Sequence, residues 1–262
     1  MIKCERIRFS YPNSPVQVLR DISVVIQEGE AVSIMGANGS GKSTLARCLN
    51  GLLQPSSGEV WIDGLNTRHK VDNEKIRQKV GMVFQNPDHQ IVSTTVEREV
   101  AFGMENLQFE HDEMHATVDH LLEEFNLKGR LDHPPHRLSG GEKQLLCLAS
   151  VLAMKPRYLI LDEPTSLLDP YSRRRILESI FKNRSKSIEK LTPILITQYP
   201  EETFYTNRLL ILSEGKIISD AAPHEAFKEA GKLCRLGIGV PLEYALELEI
   251  DLDDHRVERH SL

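Results

Sequence analysis

The stretch Ala31-Val32-Ser33-Ile34-Met35-Gly36-Ala37-Asn38-Gly39-Ser40-Gly41-Lys42-Ser43-Thr44-Leu45-Ala46-Arg47-Cys48-Leu49 decides the fold. Its first five residues are a short apolar run of the kind that makes a buried strand. Its last eight, from Lys42, carry helical spacing that stops at Asn50-Gly51. Between them, Gly36 to Ser43 satisfies GxxxxGK[ST] at every defining position. Glycines let the backbone wrap a phosphate chain with successive N–H groups pointing inward, and the following helix N-terminus adds positive potential. Lys42 is expected to reach the β- and γ-phosphates and Ser43 to ligate Mg²⁺. Gly36, Ala37, Asn38, Gly39, Ser40, Gly41 and Thr44 complete the cradle. Strand, loop and helix follow in the order this chemistry requires, so ATP with magnesium is the expected ligand.

A second apolar run, Tyr158-Leu159-Ile160-Leu161, ends in Asp162-Glu163. A central strand of this kind delivers both carboxylates to the carboxyl edge of the sheet, where ligand sites of α/β proteins lie. Asp162 is placed to organise Mg²⁺ and its waters, and Glu163 to polarise the water that attacks the γ-phosphate. An apolar strand ending in two acids is common. Paired with the phosphate loop, it supplies the other half of the machinery.

Outward from these anchors, Ile2 to Phe9 alternates like a half-buried strand, Tyr11-Pro12-Asn13 turns the chain, and Val16 to Ile26 is extended. Gly58 to Gly64 supplies a short strand around the only tryptophan, Trp61, and Val80 to Phe84 a buried one. From about Asp88 to Met154 helical spacing takes over, as in Val118, Leu121, Leu122 and Phe125, which marks a helical subdomain inserted into an α/β core. Strand patterns return at Pro193 to Thr197. Leu209 to Leu212 and Lys216 to Ser219 then form a hairpin across Ser213-Glu214-Gly215. The tail from about Leu236 ends in Glu247, Glu249, Asp251, Asp253 and Asp254 and reads as a solvated helix.

With 262 residues, 40% hydrophobic and 27% charged, the chain can bury a sizeable core. A net charge of −6 argues against a nucleic-acid partner. Cys4, Cys48, Cys147 and Cys234 lie far apart with no CxxC pair, and read as buried small hydrophobes in a reducing compartment. No apolar run approaches the ~18–20 residues a membrane span needs, and the first residues lack a signal-peptide core. A cytosolic chain is expected, reaching a membrane only through a partner. His111 and His115 stand four apart, but the residue after the first is Asp112, so HExxH is not met; a solvated polar face is the expected reading.

Leu138-Ser139-Gly140-Gly141-Glu142-Lys143-Gln144 carries the signature LSGGE, and on it the chain resembles the ATP-binding-cassette (ABC) ATPases. Other motifs of that family follow in order: Tyr11 for the aromatic A-loop, Gln85 for the Q-loop, and Ser166-Leu167-Leu168-Asp169 for the D-loop. The resemblance implies an α/β fold: a P-loop NTPase (RecA-like) core with an antiparallel β subdomain and an inserted α-helical subdomain. It covers residues 1–235, with 1–87 and 158–235 as the nucleotide-binding core, 88–157 as the helical signature subdomain, and 236–262 as a short acidic tail. It also implies a head-to-tail dimer, in which Ser139, Gly140, Gly141 and Glu142 of one chain meet the γ-phosphate on the P-loop of the other. Tyr11 would stack on adenine, and Gln85 would contact Mg²⁺ or the attacking water. One position departs from the pattern. After Ile194-Leu195-Ile196-Thr197 the family places a switch histidine, and here Gln198 stands instead. Glutamine can hydrogen-bond a γ-phosphate but cannot become cationic or relay a proton.

A narrower resemblance rests on Phe84-Gln85-Asn86-Pro87-Asp88-His89-Gln90-Ile91-Val92, on Thr95-Val96-Glu97 and Val100-Ala101-Phe102-Gly103, and on Gly237-Ile238-Gly239-Val240-Pro241. These runs are similar to the ATPase subunits of energy-coupling-factor (ECF) importers. The resemblance implies ATP hydrolysis that powers uptake of a vitamin or a transition-metal ion. It also implies a second ATPase subunit (identical or paralogous), a membrane coupling subunit docked near Asp88 to Val92, and a separate substrate-binding membrane subunit. The chain would sit peripherally on the cytoplasmic face of the cell membrane. Two other readings stay open at this point: a soluble cassette ATPase not tied to transport, and a nucleotide-gated dimerisation module slowed by Gln198.

Overall fold

The computed structural model describes residues 1–181 and 191–247. Along the chain, β1 (Ile2–Ser10), β2 (Gln17–Ile26), β3 (Val32–Gly36), α1 (Lys42–Leu49), β4 (Ser57–Ile62), β5 (Leu65–Asn66), α2 (Asn73–Lys79) and β6 (Val80–Val83) come first. Three helices follow: α3 (Val96–Asn106), α4 (His111–Glu124) and α5 (Gly140–Ala153). The chain then returns to β7 (Tyr158–Asp162), α6 (Pro170–Phe181), β8 (Thr192–Ile196), β9 (Arg208–Ser213), β10 (Lys216–Ala221), α7 (Pro223–Phe227) and α8 (Ala230–Arg235).

The apolar runs assemble into a six-stranded sheet of order β10-β9-β3-β8-β7-β6. Its strands β9, β3, β8, β7 and β6 run parallel, with β10 antiparallel at one edge. Parallel strands covered on both faces need apolar residues at successive positions, which is why these runs do not alternate. Tyr158 and Ile160 of β7, with Ile194 and Ile196 of β8, point to one core. Leu159, Leu161 and Leu195 point to the other. The first core lies between this sheet and a four-stranded antiparallel sheet of order β2-β1-β4-β5, with Leu45 and Leu49 of α1 inside it. The second core joins the sheet to α3, α4, α5 and α6 through Val100, Leu122, Leu146 and Ile176. The two sheets are also joined by polar contacts: Asp63, after β4, accepts hydrogen bonds from Tyr158 Oη at 2.6 Å, Arg157 Nη1 at 2.9 Å and Lys79 Nζ at 3.0 Å.

Three expectations change. Helix α2 was not anticipated, because Asn-Glu-Lys-Ile-Arg-Gln-Lys offers one apolar residue, Ile76, and that residue alone is buried. Cys4, Cys48 and Cys147 are buried as expected, but Cys234 is exposed on α8. Its neighbour Leu233 takes the inward position on that short helix. The tail is not simply solvated: Ile238 is buried beside Met35, Leu209 and Phe227, and Tyr244 Oη meets His224 Nδ1 at 3.0 Å. Of its acidic residues, Glu249, Asp251, Asp253 and Asp254 lie outside the described residues.

Candidate active site

Strands that run parallel end on the same edge of the sheet, and the carboxyl ends of β3, β6, β7 and β8 carry the phosphate loop, Gln85, Asp162, Glu163 and Gln198. The loop after β3 can close only on glycine at its entrance. A Cβ on Gly36 would lie 2.1 Å from the Leu212 carbonyl oxygen and 2.6 Å from Ser40 Oγ. Gly41 caps α1 with φ at 105°, a backbone conformation costly for any residue with a side chain. Within the loop, Ser40 N–H donates to Ala37 O at 3.1 Å and Gly215 N–H donates to Ser40 O at 3.1 Å. Ser40 Oγ is buried with no hydrogen-bond partner among the described residues, and it sits 2.6 Å from where a Cβ on Gly36 would lie.

Lys42 Nζ donates to Gly36 O at 2.7 Å and to Ala37 O at 3.1 Å, so its ammonium lies inside the loop. Burial pushes the Lys42 pKa down, and the nearby carboxylates of Glu163 and Asp162 push it back up. One residue on, Ser43 Oγ donates to Asp162 Oδ1 at 3.0 Å. Burial raises the Asp162 pKa; the Ser43 hydrogen bond opposes this, and the Glu163 charge adds to it. A hydroxyl and a carboxylate side by side at the mouth of an anion cradle are the hard oxygen donors that suit Mg²⁺. The cradle and the donor pair therefore fit a magnesium–nucleotide complex.

Glu163 has φ at 51°, in the left-handed region, while its N–H donates to Ile196 O at 3.0 Å. Left-handed backbone at a non-glycine residue costs on the order of 1–2 kcal/mol and persists where the surroundings impose it. Its carboxylate is held from two sides: Gln85 Nε2 donates to Oε2 at 2.7 Å, and Gln198 Nε2 donates to Oε1 at 2.7 Å. Tyr11 packs edge-on against Phe9 with ring centroids 4.9 Å apart, and its hydroxyl meets Thr44 Oγ1 at 3.1 Å. Tyr11, Asn38, Lys42, Gln85, Glu163 and Gln198 all face one pocket of about 390 Å³.

The signature is built elsewhere in the chain. Ser139 caps α5 in a reciprocal box with Glu142: Ser139 N–H donates to Glu142 Oε2 at 2.8 Å, and Glu142 N–H donates to Ser139 Oγ at 3.3 Å. The hydrogen bond from the Ser139 backbone holds the Glu142 carboxyl below its ordinary range. Glu142 therefore serves the helix end, with Arg130 3.4 Å from its carboxylate. Gly140 and Gly141 pack beside Leu167 and Leu168 of the D-loop. None of Ser139, Gly140, Gly141 and Glu142 lines the pocket that holds Lys42 and Glu163.

Sequence reasoning missed several residues that hold these loops. On α5, Lys143 Nζ donates to Asp88 Oδ1 at 2.7 Å and the buried Gln144 Nε2 donates to Phe84 O at 3.2 Å, so the signature helix grips the segment around Gln85. Glu99, 4% exposed, accepts from Val92 N–H at 3.0 Å and Ser93 N–H at 2.8 Å. Burial of one Glu among the three of α3 leaves no local mark. The Lys143 and Gln144 contacts could have been sought one turn past Ser139. His111 and His115 face each other through Nε2 atoms 3.2 Å apart on the exposed surface of α4.

The ABC transporter family model matches residues 19–166. An energy-coupling factor transporter ATP-binding protein, EcfA1, of Caldanaerobacter subterraneus subsp. tengcongensis is 41% identical over 244 residues, 92% of this chain and 87% of that one. The corresponding EcfA of Syntrophomonas wolfei subsp. wolfei is 43% identical over 243 residues, 93% of this chain and 88% of that one. Among solved structures, cbiO1 from Clostridium perfringens, part of the ABC transporter complex cbiONQ, superimposes with a TM-score of 0.78 at 33% identity, covering 94% of this chain and 98% of that one. The dimeric post-hydrolysis cassette MJ0796 bound to ADP and Pi matches with a TM-score of 0.77 at 27% identity, covering 85% of this chain and 99% of that one. A family match over more than half the chain, with relatives near 40% identity along almost all of it, gives one answer: the chain belongs to the ABC transporter family, among its energy-coupling factor transporter ATP-binding proteins.

Proposed function

We propose that this chain hydrolyses ATP at composite sites formed with a second cassette, and that the hydrolysis drives an ECF-type importer. The observation that carries this is the convergence of Ser43, bonded to Asp162 just behind it, and of Gln85–Glu163–Gln198 on one pocket, together with the absence of Ser139 to Glu142 from its lining. A phosphate cradle without its signature needs that signature from another chain, either identical or a paralogue.

In this reading Lys42 and the inward N–H groups of Gly36 to Thr44 hold the phosphates, and Tyr11 stacks on adenine. Ser43 and Asp162, with Gln85 alongside, hold Mg²⁺, which when bound neutralises charge on the phosphate oxygens. Glu163 accepts a hydrogen bond from the attacking water and orients it in line with the γ-phosphate. Each of its carboxylate oxygens accepts one amide N–H, which fixes the carboxylate and leaves a second lone pair on each oxygen to accept from the water. Residues 88–157 act as the subdomain that carries Gln85's neighbours and the signature together.

A hollow of about 1010 Å³ lies between α2 and α3, with Arg77, Val92, Phe102 and Met154 in its wall. Its exposed Phe102 and Val92 beside cationic and acidic side chains suit an amphipathic helical segment of a membrane coupling subunit. No helix among the described residues is long and apolar enough to cross a membrane. In this reading such a partner holds the chain at the cytoplasmic face, while a separate membrane subunit selects the vitamin or transition-metal cargo.

The test is Glu163→Gln. The variant is expected to lose turnover and to accumulate as an ATP-bound dimer, read by light scattering after size-exclusion chromatography with and without ATP. Unchanged phosphate release would remove Glu163 from the role given to it.

A further inference from the structure

Behind the pocket lies a buried acid that the hydrolytic reading leaves unused. Glu202 sits in the 3-10 turn Pro200–Tyr205 and is 3% exposed. Its two oxygens reach two different loops: Oε1 accepts from Thr165 Oγ1 at 2.6 Å, and Oε2 accepts from Thr197 Oγ1 at 2.5 Å. Thr165 stands two residues after Glu163, and Thr197 directly precedes Gln198. A third element joins through Arg173 of α6, whose Nε lies 3.6 Å from Glu202 Oε1 and whose guanidinium stacks 3.7 Å from the Tyr199 ring centroid. The clamp is closed within its own loop, since Glu202 N–H donates to Tyr199 O at 3.1 Å and Tyr199 N–H to Thr197 Oγ1 at 3.0 Å.

A stability role alone does not call for a carboxylate here. Burying a charge is costly even when it is paired, and an apolar side chain of similar size is often as stable or more so. What the carboxylate provides is two acceptors at a fixed separation, each holding a hydroxyl from a loop that ends in a pocket residue. The 2.7 Å contact between Gln198 Nε2 and Glu163 Oε1 joins the same two loops, one residue beyond Thr197 and two before Thr165. Misplacement of about 1 Å at a reacting group can cost on the order of a hundredfold in rate.

We propose that Glu202 is a positioning residue for ATP hydrolysis, locking the Glu163 loop and the Gln198 loop in register through Thr165 and Thr197. It touches neither nucleotide nor water and acts only through those two loops. The inference rests on the reading of Glu163 and Gln198 given above. Because Glu202 lies outside the phosphate cradle, its loss affects the chemical step and leaves nucleotide capture by Lys42 and the P-loop alone.

The test uses the full-length chain and compares Glu202→Ala, Glu202→Gln and Thr197→Val with the parent. Phosphate release at saturating ATP, KM for ATP and Tm are measured for each. Glu202→Ala is expected to lower kcat about tenfold or more with KM within about twofold, and Glu202→Gln to recover part of the loss. Should the alanine variant not fold, Glu202→Gln and Thr197→Val carry the same comparison, each removing one acceptor or donor at nearly constant shape. Combined with Gln198→Ala, the Glu202 change should add little, because both act on one contact. A kcat per folded molecule equal to the parent's in all three single variants overturns the proposal, as does full additivity with Gln198→Ala. A parallel Glu163→Gln variant separates the two levels. Retained turnover there refutes the reading of the pocket itself, whereas lost turnover there with unaffected Glu202 variants refutes only the clamp.

Discussion

Replacing Gln198 by histidine is expected to raise kcat for ATP hydrolysis about five- to tenfold. Gln198 now supplies one neutral N–H to Glu163 at 2.7 Å. An imidazole at that place can carry a proton and a charge next to the same carboxylate. The amide already donates to a carboxylate, a class of hydrogen bond worth about 1.5–3 kcal/mol, and a donor that is itself a cation moves the contact from the lower toward the upper end of that range. The difference is about 1–1.5 kcal/mol where it is realised in the transition state, and about 1.4 kcal/mol is a factor of ten in rate. Gln198 is exposed, so solvent takes part of this gain and the lower end of the range applies. Steady-state phosphate release at saturating ATP reads kcat for the parent, Gln198→His and Gln198→Ala. The alanine variant leaves Glu163 with Gln85 alone and should fall below the parent. The advantage of histidine should fade as pH rises and the imidazole loses its proton. Equal rates for parent and Gln198→His at every pH would refute the idea that the glutamine slows its site.

Two further outcomes follow from the packing. Gly36→Ala would set a Cβ 2.1 Å from a backbone oxygen, an overlap no rotamer relieves; a loss of about 2–4 kcal/mol is expected in urea unfolding, and a change within about 0.5 kcal/mol would count against the loop geometry. Burial pushes the Cys48 and Cys147 thiols up to about 12 and Cys4 higher still, so all three stay protonated and unreactive at pH 8, whereas Cys234 is exposed. Intact-mass analysis after brief iodoacetamide treatment should show one adduct on the native chain and four on the denatured chain; several adducts on the native chain would contradict the burial.

How much of this could be read from the sequence depends on how local each feature is. The cradle from Gly36 to Thr44 is made by consecutive residues, and its strand, loop and helix appear where the pattern sets them. Asp162 was legible because a run of apolar residues must be a strand, and a carboxylate at its end must lie on the ligand edge. Gln198 was legible only as a departure from a family pattern. The partners that hold these residues leave no such trace. Glu99 and Glu202 look like any helix or turn acid until distant backbone and hydroxyl groups close around them, and Asp88 meets Lys143 across 55 residues. The strand order also depends on pairings between β3 and β8 more than 150 residues apart, which no local pattern encodes. That pairing is nevertheless what makes the site. In the parallel register Asp162 stands opposite Ile196, so Glu163, one step beyond, and Gln198, two steps beyond, leave the sheet side by side. A slip of one residue would turn every side chain of β8 to the opposite face, moving Ile194 and Ile196 out of one core and Leu195 out of the other. The two hydrophobic cores therefore hold the register that brings Gln198 within 2.7 Å of Glu163. The geometry of the proposed site rests on packing that carries none of the chemistry.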